Sequence, residues 1–168
     1  LEKCSEANPK NLDVINFLAI IHANMGDIRA AVPLFESAIL ISPKNATTHF
    51  NFGRALHDAG MLDEAITSYS RSLKIDPNRV DGHINLGGLF KKIGNLEGAA
   101  DCLRRAIKID PDNALAHCNL GVVLKDMGQF EEFIASCTLA IAINPCLTDA
   151  HYNLACVYFE MARIANAA

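Results

Sequence analysis

Residues 114–147 read Ala114-Leu115-Ala116-His117-Cys118-Asn119-Leu120-Gly121-Val122-Val123-Leu124-Lys125-Asp126-Met127-Gly128-Gln129-Phe130-Glu131-Glu132-Phe133-Ile134-Ala135-Ser136-Cys137-Thr138-Leu139-Ala140-Ile141-Ala142-Ile143-Asn144-Pro145-Cys146-Leu147. Leu115, Cys118, Leu120, Val123 and Leu124 recur at helical spacing. Gly128 offers the left-handed residue that ends a helix at little cost. A second periodic run follows from Phe130 to Ile143, and Asn144-Pro145 stops it. The stretch therefore predicts two helices, A and B, joined by a tight turn.

The pattern repeats in both directions. Pro9, Pro43, Pro77, Pro111 and Pro145 are each 34 residues apart, and only Pro33 lies off that grid. Gly26, Gly60, Gly94 and Gly128 share one phase. Gly53, Gly87 and Gly121 share another, with Ala19 and Ala155 in the outer units. Self-similarity at a fixed period is the signature of repeat architectures. The chain divides into full units 12–45, 46–79, 80–113 and 114–147. Residues 1–11 are expected to end a preceding unit, and 148–168 to begin another. Its last residues, from Ala162, are read as at most the start of a B helix.

Small residues recur where helix axes must come close, in the columns Ala31/Ala65/Ala99 and Ala38/Ser72/Ala106/Ala140. No alternating runs bounded by hairpin turns compete. One helical hairpin cannot bury its apolar face alone, whereas stacked neighbours can. The expected fold is all-α: a right-handed superhelical solenoid of antiparallel helix pairs.

Composition narrows the function. The chain has 168 residues, 51 % hydrophobic, with net charge −4. That content is too apolar for a disordered chain. The acidic balance argues against a domain that lives on phosphate backbones. The longest apolar run, Phe17-Leu18-Ala19-Ile20-Ile21, is far too short to span a bilayer, so no membrane insertion is expected. The chain opens on Leu1, which reads as a processed or excised piece, and no export signal is expected there.

The residues that carry the period resemble the tetratricopeptide repeat family. The motif stands as Phe52-Gly53, Gly60, Ala65, Tyr69, Ser72, Pro77 in one unit. It stands as Leu86-Gly87, Gly94, Ala99, Leu103, Ala106, Pro111 in the next. Three departures stand out. Phe133 replaces the small B-helix residue, and is expected to push helices apart or redirect them locally. Pro33 is placed early in a B helix, near its tolerant first turn. The family's frequent Trp is absent, and His49, His83, His117 and His151 take that phase.

A repeat turns a sequence column into a spatial row. Asn51, Asn85, Asn119 and Asn153 form one column on the A helices, with Phe17 at the same phase of the first unit. The resemblance implies that this position faces an inner, concave surface. A carboxamide both donates and accepts, so such a row can pair with the backbone of an extended peptide whatever its side chains. A generic, solvated surface row is the alternative. The same geometry adds Phe50, Arg54, His57, Ile84, Lys91, Lys92, Lys125, Asp126, Tyr152 and Phe159 to the groove. Mixed charge with apolar anchors fits a polypeptide. It lacks the continuous basic track that nucleic acid needs. Some family members hold C-terminal carboxylates with a Lys/Asn/Arg clamp, and the clamp's Lys and Arg are missing from the matching columns. These read Asn16/Phe50/Ile84/Cys118/Tyr152 and Asp13/Thr47/Asp81/Leu115/Asp149.

No catalytic constellation emerges, and the segment is expected not to be an enzyme. The His row is expected to cap contacts between units, because helices about 8–10 Å apart hold ligands too far apart for one zinc ion. No metal or cofactor is expected. The six cysteines form no CxxC pair, which favours free thiols and a reducing, cytoplasmic or nucleocytoplasmic setting. The expected function is a scaffold or adaptor that binds a protein or an unstructured peptide. The alternative is the substrate-recruiting arm of a larger glycosyltransferase, since the repeats resemble those of O-linked N-acetylglucosamine transferase and its relatives. Self-association through uncapped repeat ends is a further reading.

Overall fold

A computed structural model describes residues 11–165, with side chains described up to Glu160. Every regular element among the described residues is an α-helix. In chain order these are α1 (Leu12–Asn24), α2 (Ile28–Ile41), α3 (Ala46–Asp58), α4 (Leu62–Ile75), α5 (Val80–Lys92), α6 (Leu96–Ile109), α7 (Ala114–Asp126), α8 (Phe130–Ile143) and α9 (Thr148–Ala165). Helices of 13 and 14 residues alternate from α1 to α8, as A then B helices of each repeat. The expected all-α helical-repeat class is the observed one.

Local chemistry sets the boundaries. Asn11, Asn45 and Asn113 precede A helices, and each side chain accepts from backbone N–H groups of the first turn. Arg79 stands at that phase before α5. Asp27 and Asn95 cap the B helices α2 and α6 in the same way. Between A and B, Gly26, Gly60, Gly94 and Gly128 have φ of 77–81°. A Cβ there would meet nothing within 4 Å, so conformation and not crowding demands glycine. After each B helix a backbone N–H returns to the small-column carbonyl, for example Asp110 to Ala106.

The histidine column acts on the loop that precedes each A helix. In His49, His117 and His151, Nε2–H donates to the carbonyl of Pro43, Pro111 and Pro145 respectively, at 2.9 Å each. A carbonyl only accepts, so Nε2 carries the proton. The expected capping role is thus a clamp between an A helix and the proline loop before it.

The chain forms two compact units, residues 1–82 and 83–168. In the first, Ala31, Phe35, Ala65 and Tyr69 are fully buried. Phe35 stacks on Phe52 with centroids 5.1 Å apart. A Cβ on Gly53 would sit 2.9 Å from the Tyr69 ring, so this glycine lets α3 and α4 meet. In the second unit, Ala99, Leu103, Leu120, Val123, Leu124, Phe133, Cys137 and Val157 share one core.

Phe133 corrects one expectation. It is fully buried, and so is Cys137 one turn further along α8. The Cys137 column holds Phe35, Tyr69 and Leu103 in the other repeats. The bulky and small positions have therefore exchanged places along the helix, and the volume is kept. A Cβ on Gly121 would lie 2.9 Å from Cys137 Sγ, and 3.5 Å from the Phe133 ring.

Two other expectations change. Pro33 is the sixth residue of α2, past the first turn, and is exposed. It removes the donor that the Arg29 carbonyl would receive. Its own carbonyl accepts from Ser37 Oγ at 2.7 Å. At the other end, α9 runs unbroken through Ala162 to Ala165, and residues 166–168 lie outside those described. Ala162 occupies the phase of the turn glycines, and a left-handed alanine is costly.

Candidate peptide-binding surface on the A helices

In the second unit the Asn column lies on α5, α7 and α9, where Asn85, Asn119 and Asn153 are each half-buried. Two cross-repeat contacts tie these three helices together. Lys91 of α5 pairs with Asp126 of α7 at 3.4 Å. Asn153 Nδ2 of α9 donates to Cys118 Sγ of α7 at 3.8 Å. The A helices of this unit therefore present matching phases side by side. The side chain of Asn119 makes no hydrogen bond among the described residues, and so keeps a donor and an acceptor for a ligand.

The other expected residues sort by their packing. Ile84 is half-buried against the core of this unit and serves that core. Lys92 is exposed and Lys125 half-buried. Tyr152 is 69 % exposed and Phe159 72 %. A hydrogen bond with Cys156 pushes the Tyr152 hydroxyl pKa up. Mixed charge, amides and exposed rings are thus together on α5, α7 and α9.

The first unit differs at the matching phases. Asn51 is half-buried and its amide is likewise unpaired among the described residues. Arg54 is exposed and makes no ion pair among them. Phe17, at the Asn phase, is 53 % exposed. Asn16 Nδ2 donates to the buried Thr48 hydroxyl at 3.0 Å, and so joins α1 to α3.

Phe50 is a correction. It is only 8 % exposed and packs on Tyr69, with centroids 5.6 Å apart. The Arg79 guanidinium lies 4.9 Å over the Phe50 ring. Arg79 also donates to Thr47 Oγ1 at 3.0 Å, and is flanked by Asp76 and Asp81 at 3.6 Å. Phe50 is thus a covered packing residue and not an open groove anchor. The signal was the replacement of the Asn cap by a long cation, but its reach across to α3 is a three-dimensional fact.

Three buried thiols are held protonated. Burial pushes Cys102 and Cys137 up to about 11. Burial also raises Cys118, partly offset by its hydrogen bond from Asn153. A raised pKa is the opposite of what activates a nucleophilic thiolate. Among the described residues no group of three or more His, Cys, Asp or Glu is placed to hold a metal ion. No helix among them is long and apolar enough to cross a membrane.

Fold and surface together define a helical-repeat scaffold that offers amides, charges and rings from successive A helices. Models of the TPR repeat match residues 53–94 and 89–128, and models of the tetratricopeptide repeat match 12–45 and 114–145. The chain belongs to the tetratricopeptide repeat family. It is a scaffold for protein–protein interaction, built on a fold that is typically a non-catalytic module and whose members bind peptides or proteins. Its fold is similar to several solved structures. One is YrrB, described as a TPR protein with an unusual peptide-binding site, at TM-score 0.79 and 20 % identity over 96 % of this chain and 83 % of that one. Another is MamA from Desulfovibrio magneticus RS-1, at TM-score 0.78 and 20 % identity over 85 % and 81 %. A third is PilF of Pseudomonas aeruginosa, at TM-score 0.80 and 18 % identity over 90 % and 69 %. No match was found among curated protein sequences.

Proposed function

We propose that the A-helix face of α5, α7 and α9 binds an extended polypeptide, with Asn85, Asn119 and Asn153 meeting its backbone. The observation that carries this reading is Asn119. Its half-buried amide has no partner among the described residues and stands between two contacts that join neighbouring A helices. Amides recognise the donor and acceptor of any peptide unit, so the reading favours sequence-tolerant capture. Lys92 and Tyr152 then supply preference, one for acidic and one for apolar side chains. Binding of a fluorescently labelled unstructured peptide tests it. Asn119→Ala should weaken binding about threefold to tenfold, the worth of one hydrogen bond. Unchanged affinity, with a loss from a change on the B helices instead, would place the site elsewhere.

A second reading, association of copies, rests on α9, where Tyr158 is 52 % and Phe159 72 % exposed. Phe159→Ser should then lower the mass seen by light scattering at high concentration. A wild-type chain that stays strictly monomeric there removes this reading.

A further inference from the structure

The first unit carries a cleft of about 280 Å³ between α2, α3 and α4. It shares no residue with the Asn column. Phe52 and Leu56 leave α3 roughly 100° and 140° round the helix from Asn51, at about 100° per residue. Val32 and Met61 complete the apolar lining. Glu36 on α2, and Glu64 and Arg71 on α4, form the rim, and all three are exposed. None makes an ion pair among the described residues. An apolar floor ringed by unpaired charge of net negative sign is complementary to an apolar group beside a cation.

The second unit repeats the cleft at the same phases, with about 290 Å³ between α6, α7 and α8. There Arg104 stands for Glu36, Leu120 for Phe52 and Leu139 for Arg71. Its lining offers no carboxylate, and Arg104 is paired with Asp101 at 3.7 Å. The repeat thus presents two clefts of similar volume at overlapping phases, and only the first has unpaired carboxylates on its rim. The rim charge is what distinguishes them for a cation.

We infer that the cleft over Phe52, Leu56 and Met61 is a second docking site, one that takes a large apolar side chain from a partner segment carrying a lysine or arginine within one helical turn. The apolar side chain fills the floor. The cation meets Glu36 and Glu64. The site shares no residue with the Asn face.

The test titrates the ¹⁵N-labelled chain with three capped, alanine-based helical peptides that carry Leu-x-x-Lys, Leu-x-x-Glu or Ala-x-x-Lys. The Leu-x-x-Lys peptide should shift amides within 32–36 and 52–71. It should bind about tenfold or more tighter than Ala-x-x-Lys, from the lost apolar burial. It should bind about threefold to tenfold tighter than Leu-x-x-Glu, the scale of two exposed ion pairs. The Glu36→Lys/Glu64→Lys variant changes exposed positions only, and circular dichroism checks its fold. It should invert the preference between the Lys and Glu peptides. Three results overturn the inference: no saturable binding, equal binding of the Ala and Leu peptides, or shifts confined to α5, α7 and α9. A charge reversal that leaves the preference unchanged overturns it too.

Discussion

The second repeat of the first unit and the last full repeat of the second solve one packing problem in two ways. On α4 the small residue is Ala65 and the bulky one Tyr69; on α8 the bulky one is Phe133 and the small one Cys137. In both, the facing glycine, Gly53 or Gly121, has no room for a Cβ. The repeat does not require a given residue at a given phase. It requires a fixed volume over one turn of helix B against a glycine on helix A. That condition links two columns that look independent in the sequence.

Emptying one of the two bulky positions has the largest expected effect. Phe133→Ala should cost about 3–5 kcal/mol in urea unfolding, the range for deleting a buried aromatic ring. Adding Cys137→Leu should restore part of that loss, because it rebuilds the Ala99/Leu103 arrangement. A double variant no more stable than Phe133→Ala alone would show that the two phases do not share one volume. The reciprocal change, Ala65→Phe beside Tyr69, should overpack the first unit and cost about 1–3 kcal/mol.

A smaller contrast lies between α2 and the other B helices. Only α2 has a proline inside, and Thr67, Asp101 and Ala135 hold the matching phase. Pro33→Ala restores a donor to the Arg29 carbonyl and should stabilise the chain by about 1–3 kcal/mol, below the full propensity gap because the site is already adapted to proline. A melt at unchanged or lower temperature would mean that Pro33 serves the packing of α2 in some other way.

The thiols separate the units by pH. Cys102, Cys118 and Cys137 are buried in the second unit, and the described part of the first unit has no cysteine. A thiol normally near 9 that rises to about 11 on folding favours the folded state only while it stays protonated. That contribution is complete below the unfolded pKa and is lost as pH rises towards the folded one. Wild type should therefore lose stability relative to Cys102→Ala between about pH 8 and about pH 10.5. Equal losses in both would remove the thiol from the account. In the native protein at about pH 8, a thiol reagent should modify the exposed Cys146 and spare Cys102 and Cys137.

The period made the helices, turns and loops readable, because proline and glycine act through local backbone rules. Gly26, Gly60, Gly94 and Gly128 bear this out at φ of 77–81°. The unbroken course of α9 was not read from the sequence, although Ala162 stands at the phase of the turn glycines. What the lattice hid was anything set by a long side chain crossing between repeats. Arg79 covers Phe50 from a loop nearly thirty residues away in sequence, and the phase of Phe50 alone placed it in the open. The compensation of Phe133 by Cys137 was hidden for another reason, since it appears only when two columns are summed. For the candidate surface, the phase of the Asn row was plain. Which amides also bond to a neighbour, as Asn153 Nδ2 does to Cys118, depended on distances.

In the proposed function the A-helix amides hold a peptide by its backbone. The direct measurement is a cycle between the protein and the peptide's own amides. An unstructured labelled peptide and its backbone N-methylated counterpart are each bound to wild type and to Asn85→Ala/Asn119→Ala. Wild type should bind the methylated peptide about tenfold more weakly, and the variant should bind both peptides at nearly that weaker affinity. If N-methylation costs as much in the variant as in wild type, the amide row does not read the backbone and the proposed function is wrong.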